Sequence, residues 1–431
     1  MGAIGTMETI KPILPIVIIA LLGLVGCSSE EELMKPVESE KPKVAMELLP
    51  YMSAYKEAVA GTRAWIPPTG YYLYNDPLHG SGGMFAGQPD LSTKTIGICF
   101  TQDGEEPKKG YFVYSGGKWL TNVEEIKGEP YYLYGYIPHI GGVDAVTCDI
   151  SSSATPGDNT SYSSGAVLTI HNLPTVTSND VCVVVGAKNG KDDYTEEGDY
   201  SVTGLRPGDF EYVAEETSDE GATGNYVFLL FDHLYSAVRF RIKVWETYNA
   251  LRKIKLKELK IQTFAGASPC KSKTDVAITF AATDGVDPSD PVVTDVVFTP
   301  SSGINSEAPI FQSEGGDSLT TEYSTFMGNF MPQGVTKLVL TSTYDVYDRN
   351  PVKDEEGNIK FEDDERKYPV FNLIRKDQHA TNVLELERMQ FFPIEKEATR
   401  GKCYNINLTI KPSYLLQLSD EDLNNPTMEI D

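Results

Sequence analysis

Positive charge is scarce in this chain, and so is any arrangement of residues suited to a catalytic or metal centre. Its 431 residues carry 37 Lys and Arg against 62 Asp and Glu, a formal net charge of −25. A chain this acidic repels phosphate backbones, which argues against a nucleic-acid partner. The histidines, His79, His139, His171, His233 and His379, lie far apart, and no H-E-x-x-H or Cys/His cluster has zinc spacing. There is no G-x-S-x-G elbow and no Walker-type glycine loop. Acidic pairs abound, but they mean little at this charge. The sequence therefore assigns no catalytic residue, no metal ligand and no cofactor, and an enzyme is not expected. His233, in Leu230-Phe231-Asp232-His233 ahead of a strand-like run, reads as a hydrogen-bonded structural histidine. Long Ala/Leu/Glu/Lys stretches of helical period are also scarce, which excludes a helical bundle or a coiled coil.

Cysteine supplies no framework. Besides Cys27 the chain has Cys99, Cys148, Cys182, Cys270 and Cys403, an odd number without a C-x-x-C pair. At least one must stay free, unlike the small secreted disulfide scaffolds. Cys99 and Cys182 fall in apolar strand-like runs, where cysteine behaves as a small buried hydrophobe. Mostly reduced, structural thiols are expected.

What is plentiful is Gly (37), Pro (26) and Tyr (24), the composition of short strands joined by turns. Strand-like runs recur at Tyr71–Tyr74, Ile96–Thr101, Tyr111–Tyr114, Tyr131–Ile137, Ala166–Ile170 and Val181–Val185. Ser115-Gly116-Gly117-Lys118 predicts a hairpin, because paired glycines tolerate the positive φ of a tight turn. Ser151–Gly165 reads as a flexible surface loop. Further on, Val238, Phe240, Ile242 and Val244 alternate with Arg239, Arg241 and Lys243, one dry face against one wet face. Ile254 and Leu256 share one parity, Leu259 and Ile261 the other, which predicts a β-bulge near Lys257-Glu258. Tyr404, Ile406, Leu408 and Ile410 form the cleanest strand. The polar stretch Ala214–Gly224 is the best internal boundary. The expected fold is all-β: two β-sandwich domains in tandem, 64–222 and 223–431.

The N-terminus carries an address. Ile13 to Gly26 is almost wholly apolar behind Lys11, too short to span a bilayer and interrupted by Pro15. Residues 1–26 thus read as a signal peptide. The run ends Leu24-Val25-Gly26-Cys27, which resembles a bacterial lipobox, with Cys27 as the thiol that receives the lipid (palmitate-type acyl chains). Ser28-Ser29-Glu30-Glu31-Glu32 follows. It is similar to the surface-export signal of Bacteroidota lipoproteins, and it is equally a solvated tether. Within 27–63 one short strand is expected over Val44, Met46 and Leu48, ended by Pro50.

Two features admit two readings each. Asp354-Glu-Glu-Gly-Asn-Ile359 with Glu362–Glu365 has a glycine placed as in a calcium loop, but the first ligand position would fall on Val352. A hairpin tip at Gly357-Asn358 accounts for the same residues and is preferred. Tyr132, Tyr134 and Tyr136 share one strand face. Exposed, they would stack on sugar rings. Buried, they are sandwich core, which the β preference of tyrosine favours.

Arg63 is the first arginine of the chain and sits in Ala60-Gly61-Thr62-Arg63-Ala64, after the lipobox and the candidate strand. Other marks are Tyr131-Tyr-Leu-Tyr-Gly-Tyr-Ile-Pro138, Phe231-Asp-His-Leu-Tyr-Ser-Ala-Val-Arg-Phe-Arg-Ile242 and Gly401-Lys-Cys-Tyr-Asn-Ile-Asn-Leu-Thr-Ile410. In this order the chain resembles the type V pilins, or fimbrillins, of Bacteroidales. The resemblance implies two transthyretin-like β domains and export as an outer-membrane lipoprotein to the cell surface. It also implies an arginine-specific protease that cuts after the N-terminal strand, and assembly into a fimbrium with sibling subunits, with a role in adhesion. Lipidation would fall on Cys27 and cleavage between Arg63 and Ala64, making 27–63 a pro-segment. Most such residues are surface arginines in linkers; Arg63 stands above that base rate as the sole arginine before the β domains, flanked by small residues.

The physical content of this resemblance is strand donation. Excision of 27–63 would leave unpaired backbone groups along an apolar groove, a template for a neighbour's extended segment. Head-to-tail repetition of such a contact gives an open filament. The candidate donor is the tail segment with Tyr414, Leu416 and Leu418, after which Ser419–Asn425 turns polar. Shaft and tip positions both stay open. The competing expectation is a surface lipoprotein that keeps 27–63 and binds glycans through exposed tyrosines.

Overall fold

A computed structural model describes residues 44–53, 56–59, 71–73 and most of 95–430. Inside that last span 116–117, 122, 124–129, 140–145, 156, 190–209, 212–225, 283–291, 327–328, 363–367, 390, 392–393, 413–422 and 425 lie outside the described residues. The described residues are almost all β.

In chain order the strands begin β1 (Val44–Ser53), β2 (Lys56–Val59), β3 (Tyr71–Leu73), β4 (Thr95–Thr101), β5 (Lys108–Ser115), β6 (Lys118–Thr121), β7 (Pro130–Ile137) and β8 (Thr147–Ser152). They continue β9 (Ala166–Pro174), β10 (Cys182–Asn189), β11 (Phe210–Glu211), β12 (Tyr226–His233), β13 (Ser236–Val244), β14 (Arg252–Ala265), β15 (Ser268–Pro269) and β16 (Lys271–Phe280). The last are β17 (Val293–Asn305), β18 (Glu307–Leu319), β19 (Ser324–Phe326), β20 (Phe330–Met331), β21 (Lys337–Pro351), β22 (Phe371–Glu385), β23 (Lys402–Pro412) and β24 (Pro426–Ile430).

The first sheet runs β10-β12-β1-β6-β5-β4-β7, with β11 added on β7 and β3 on β1. β10 also pairs with β7, through Cys182↔Ile137 and Val183↔Tyr136. The path therefore returns to its start, and the strands form a closed ring. Alternation along each strand then gives two buried faces. Ile96, Ile98 and Phe100 of β4 and Leu133 and Ile137 of β7 line the inside of the ring, opposite in parity to Cys99, Tyr134 and Tyr136. Those last three point outward into a core shared with the second sheet, β17-β16-β9-β8, where they meet Leu168, Ile170, Val276 and Ile278.

The third sheet has the order β19-β13-β23-β2, with β20 on β13 and β24 on β23, and the fourth is β15-β14-β21-β22 with β18 on β14. They pack face to face as a sandwich. Phe240, Ile242, Ile406 and Leu408 bury against Ile254, Leu256, Ile261, Leu340 and Val346.

Several expectations meet their counterparts directly. The hairpin β5–β6 pairs Ser115 with Lys118. The register of β14 slips between Leu256 and Glu258 against both neighbours, which is the bulge that lets Leu256 and Leu259 both reach the core. On β13 the wet face is covered by Tyr323, whose ring lies 4.7 Å from the Arg241 guanidinium and 4.4 Å from Lys243 Nζ. Residues 354–358 form a hairpin tip: Asp354 and Asn358 pair, Gly357 takes a φ of 85°, and Lys353 bridges to Ile359.

Three features differ from expectation. Ser151–Gly165 is a surface segment over most of its described residues, but it is held at both ends. Ser151 and Ser152 end β8, Tyr162 is wholly buried, and the Asp103 carboxylate accepts the backbone N–H groups of Tyr162 and Ser163 and the Ser163 hydroxyl. Pro50 does not end its strand, which runs on to Ser53. On the flank away from β12, β6 pairs Val44–Met46 and β3 pairs Tyr51–Ser53, which leaves Pro50 without a register partner on that side. Finally, pairings cross the expected boundary at 222/223, which itself lies outside the described residues. β12 belongs to the first sheet, and β16 pairs with β9.

Candidate strand-exchange site

The site is built from the segment upstream of Arg63. β1 lies in the middle of the first sheet, not at an edge. On one flank it runs parallel to β12, with Glu47–Met52 in register with Tyr226–Phe231. On the other it is antiparallel to β6 and β3. A strand so placed satisfies donors and acceptors on two neighbours at once, and nothing else among the described strands joins β12 to β6. Two residues separate β1 from β2, which is parallel to β23 with Lys56–Val59 against Lys402–Asn405. One segment thus contributes a stave to the ring and an edge strand to the third sheet.

The named processing and donor residues fall elsewhere. Cys27, Arg63, Ala64, Tyr414, Leu416 and Leu418 all lie outside the described residues. Beyond the candidate donor the chain returns as β24, antiparallel to β23 on the same flank as β2, from Leu408↔Ile430 to Pro412↔Pro426. It is fastened from the fourth sheet, where the Tyr344 hydroxyl donates to the Pro426 carbonyl at 3.0 Å and the Asn382 amide to the Met428 carbonyl. The Tyr248 hydroxyl adds a bond to the Leu423 carbonyl at 2.7 Å. Sequence reasoning missed this strand, although Met428 and Ile430 alternate with Thr427 and Glu429.

The tyrosine strand offers no platform for sugar. Tyr134 and Tyr136 are wholly buried and Tyr132 is half-buried. Tyr134 packs edge-on against Phe280 at 4.9 Å, and the Tyr136 hydroxyl shares a 2.7 Å hydrogen bond with His139 Nδ1. His233 is buried and hydrogen-bonded, as its sequence context suggests. Its Nδ1 is 3.0 Å from Asp180 Oδ2 and 3.4 Å from Cys182 Sγ. These three side chains are the described residues whose ligand atoms converge closely enough to hold a metal, within 4.8 Å of one another. Burial, then the Asp180 carboxylate, push the Cys182 thiol well above its ordinary range, so it stays protonated and donates.

No protein-family model matches this chain, and no curated protein does. Solved structures do resemble it. One is a fimbrial protein from Bacteroides vulgatus, 13% identical over 88% of this chain and 98% of that one, with a TM-score of 0.33. Another is a candidate cell adhesion protein from Bacteroides fragilis, 12% identical over 90% of this chain and 97% of that one, TM-score 0.31. The structural neighbours are Bacteroidales fimbrial and adhesion proteins. The fimbrial anchor protein Mfa2 from Porphyromonas gingivalis is among them, 8% identical over 88% of this chain and 97% of that one, TM-score 0.21. With TM-scores of 0.33 and below, these likenesses place none of this chain's residues.

Proposed function

We propose that the chain is a fimbrial structural subunit of the outer cell surface, exported as a lipoprotein on Cys27, cut between Arg63 and Ala64, and assembled by strand donation. The observation that carries this reading is the place of β1: the segment ahead of Arg63 supplies an internal stave of a closed ring. Each backbone hydrogen bond contributes about 1 kcal/mol net, so a stave bonded on both flanks is worth several. That is a large fraction of the roughly 5–15 kcal/mol that holds a domain together. Excision therefore leaves a ring that is open between β12 and β6, with apolar interior and unpaired backbone groups presented together. An extended segment from a sibling subunit satisfies both needs. The intact segment blocks this until a protease removes it, which makes cleavage the assembly switch. Residues 413–418 remain the candidate donor, since β24 is engaged on its own subunit.

The test is brief digestion of the recombinant chain with an arginine-specific protease, followed by mass spectrometry and sizing. Loss of the segment ending at Arg63 should coincide with detergent-resistant ladders, and an Arg63→Ala variant should stay monomeric. Equal polymerisation of both would refute the switch.

A further inference from the structure

Cys99 and Cys148 are far apart in sequence and belong to different sheets, yet their sulfurs lie 3.2 Å apart. Cys99 is on β4 of the ring and Cys148 on β8 of the second sheet. The two strands approach within 8 Å Cα to Cα, close to the roughly 4.4–6.8 Å that a disulfide spans. Their surroundings are unequal. Cys99 is wholly buried, whereas Cys148 is half-buried beside Lys109, which pairs with Asp149, and beside the Tyr136 hydroxyl. His171 Nε2 lies 3.2 Å from the far oxygen of Asp149 and extends the polar side of the cluster.

We infer that Cys99 and Cys148 form a dithiol that closes to a disulfide between the ring and the second sheet, with Cys148 as the attacking sulfur and Cys99 as the resolving one. The hydrogen bond from Cys99, and then the Lys109 charge, hold the Cys148 thiol below its ordinary range against the effect of burial. The same hydrogen bond and burial push Cys99 up. The oxidant is an external disulfide of low molecular weight. The Cys148 thiolate attacks one of its sulfurs and expels one thiolate, giving a mixed disulfide. Cys99 then loses its proton, attacks Cys148 Sγ and expels the second thiolate. Two cysteine thiols are oxidised and one external disulfide is reduced to two thiols. Of the other cysteines, Cys182 is engaged with Asp180 and His233, and Cys270 packs against the core of the third and fourth sheets. This inference is independent of the fimbrial reading.

Oxidised glutathione and the recombinant full chain, followed by alkylation and non-reducing peptide mapping, provide the test. The expected product is one linked peptide pair, Cys99 with Cys148, two hydrogens lighter than its reduced parts, and a raised Tm. Cys99→Ala should trap glutathione on Cys148, while Cys148→Ala should leave Cys99 unreacted in the folded protein. With the unaltered chain, limiting iodoacetamide should label Cys148 before Cys99, a readout that needs no variant to fold. Two free thiols after oxidation, a different pairing, or labelling of Cys99 first would each overturn the inference.

Discussion

The ring and the sandwich of the third and fourth sheets use the same upstream segment in opposite ways. In the ring, β1 is internal, and removing it breaks closure. In the third sheet, β2 is an edge strand on β23, whose other flank is fully paired with β13 from Ala237↔Cys403 to Val244↔Ile410. Loss of an edge strand exposes one row of backbone groups. Loss of an internal one exposes two rows and the apolar surface between them. One region is therefore conditional on the segment, and the other stands nearly without it.

The largest expected effect follows from this contrast. After cleavage at Arg63 and removal of the released segment, amide hydrogen exchange should accelerate by orders of magnitude in β6 and β12, the strands that flank the gap. Protection in β14 and β21, buried in the other sandwich, should change little. Equal loss in both regions would break the comparison and show that they unfold as one unit.

A core deletion in the independent sandwich sharpens it from the other side. Leu340 is wholly buried on β21, against Ile261 on β14. Leu340→Ala should cost about 2–5 kcal/mol. The cost should be the same in the cleaved and uncleaved chain, as measured by urea unfolding followed through that sandwich. A cost that depends on cleavage would mean that the segment supports both regions.

Much of this contrast was legible in the residues, and the reasons are specific. The bulge at Leu256/Glu258 could be read because apolar parity changes there, and only an extra residue restores both sets to one core. The strand at Val44 was visible from its alternation. Its partners were not, because strand pairing is a long-range choice that local pattern does not encode, and closure depends on two register pairs between β10 and β7. Ser151–Gly165 reads as a loop from its composition, but its two anchors, the distant Asp103 carboxylate and the buried Tyr162 ring, are not local signals. Of the site, Cys27 and Arg63 rest on motif alone, and the place of β1 came only from the fold.

Asp103 tests whether the second sheet depends on the ring for its order. Its carboxylate caps the turn at Tyr162–Ser164 from the loop after β4. Asp103→Ala should destabilise by about 1–3 kcal/mol and free the 153–165 segment to limited proteolysis, with β14 and β21 unaffected. Unchanged proteolysis would show that burial of Tyr162 alone orders the turn.

The smallest effect is one of pH, and it belongs to the ring side alone. Burial holds His139 below the ordinary imidazole range, while its Nδ1 shares a hydrogen bond with Tyr136 and its ring stacks on Tyr111. Over the window below pH 6.5 the unfolded chain takes up a proton that the folded one refuses. The unfolded state binds more protons there, so stability falls as pH falls, with a slope no steeper than about 1.4 kcal/mol per pH unit for one group. Asp149 and Asp275 have lowered values as well, but their contribution is lost only further into acid, below the unfolded carboxylate range. Urea midpoints between pH 7.5 and pH 5 should therefore decline for the ring and its second sheet, and His139→Gln should flatten that decline. An unchanged slope in the variant would assign the pH dependence to another group and remove this difference between the two regions.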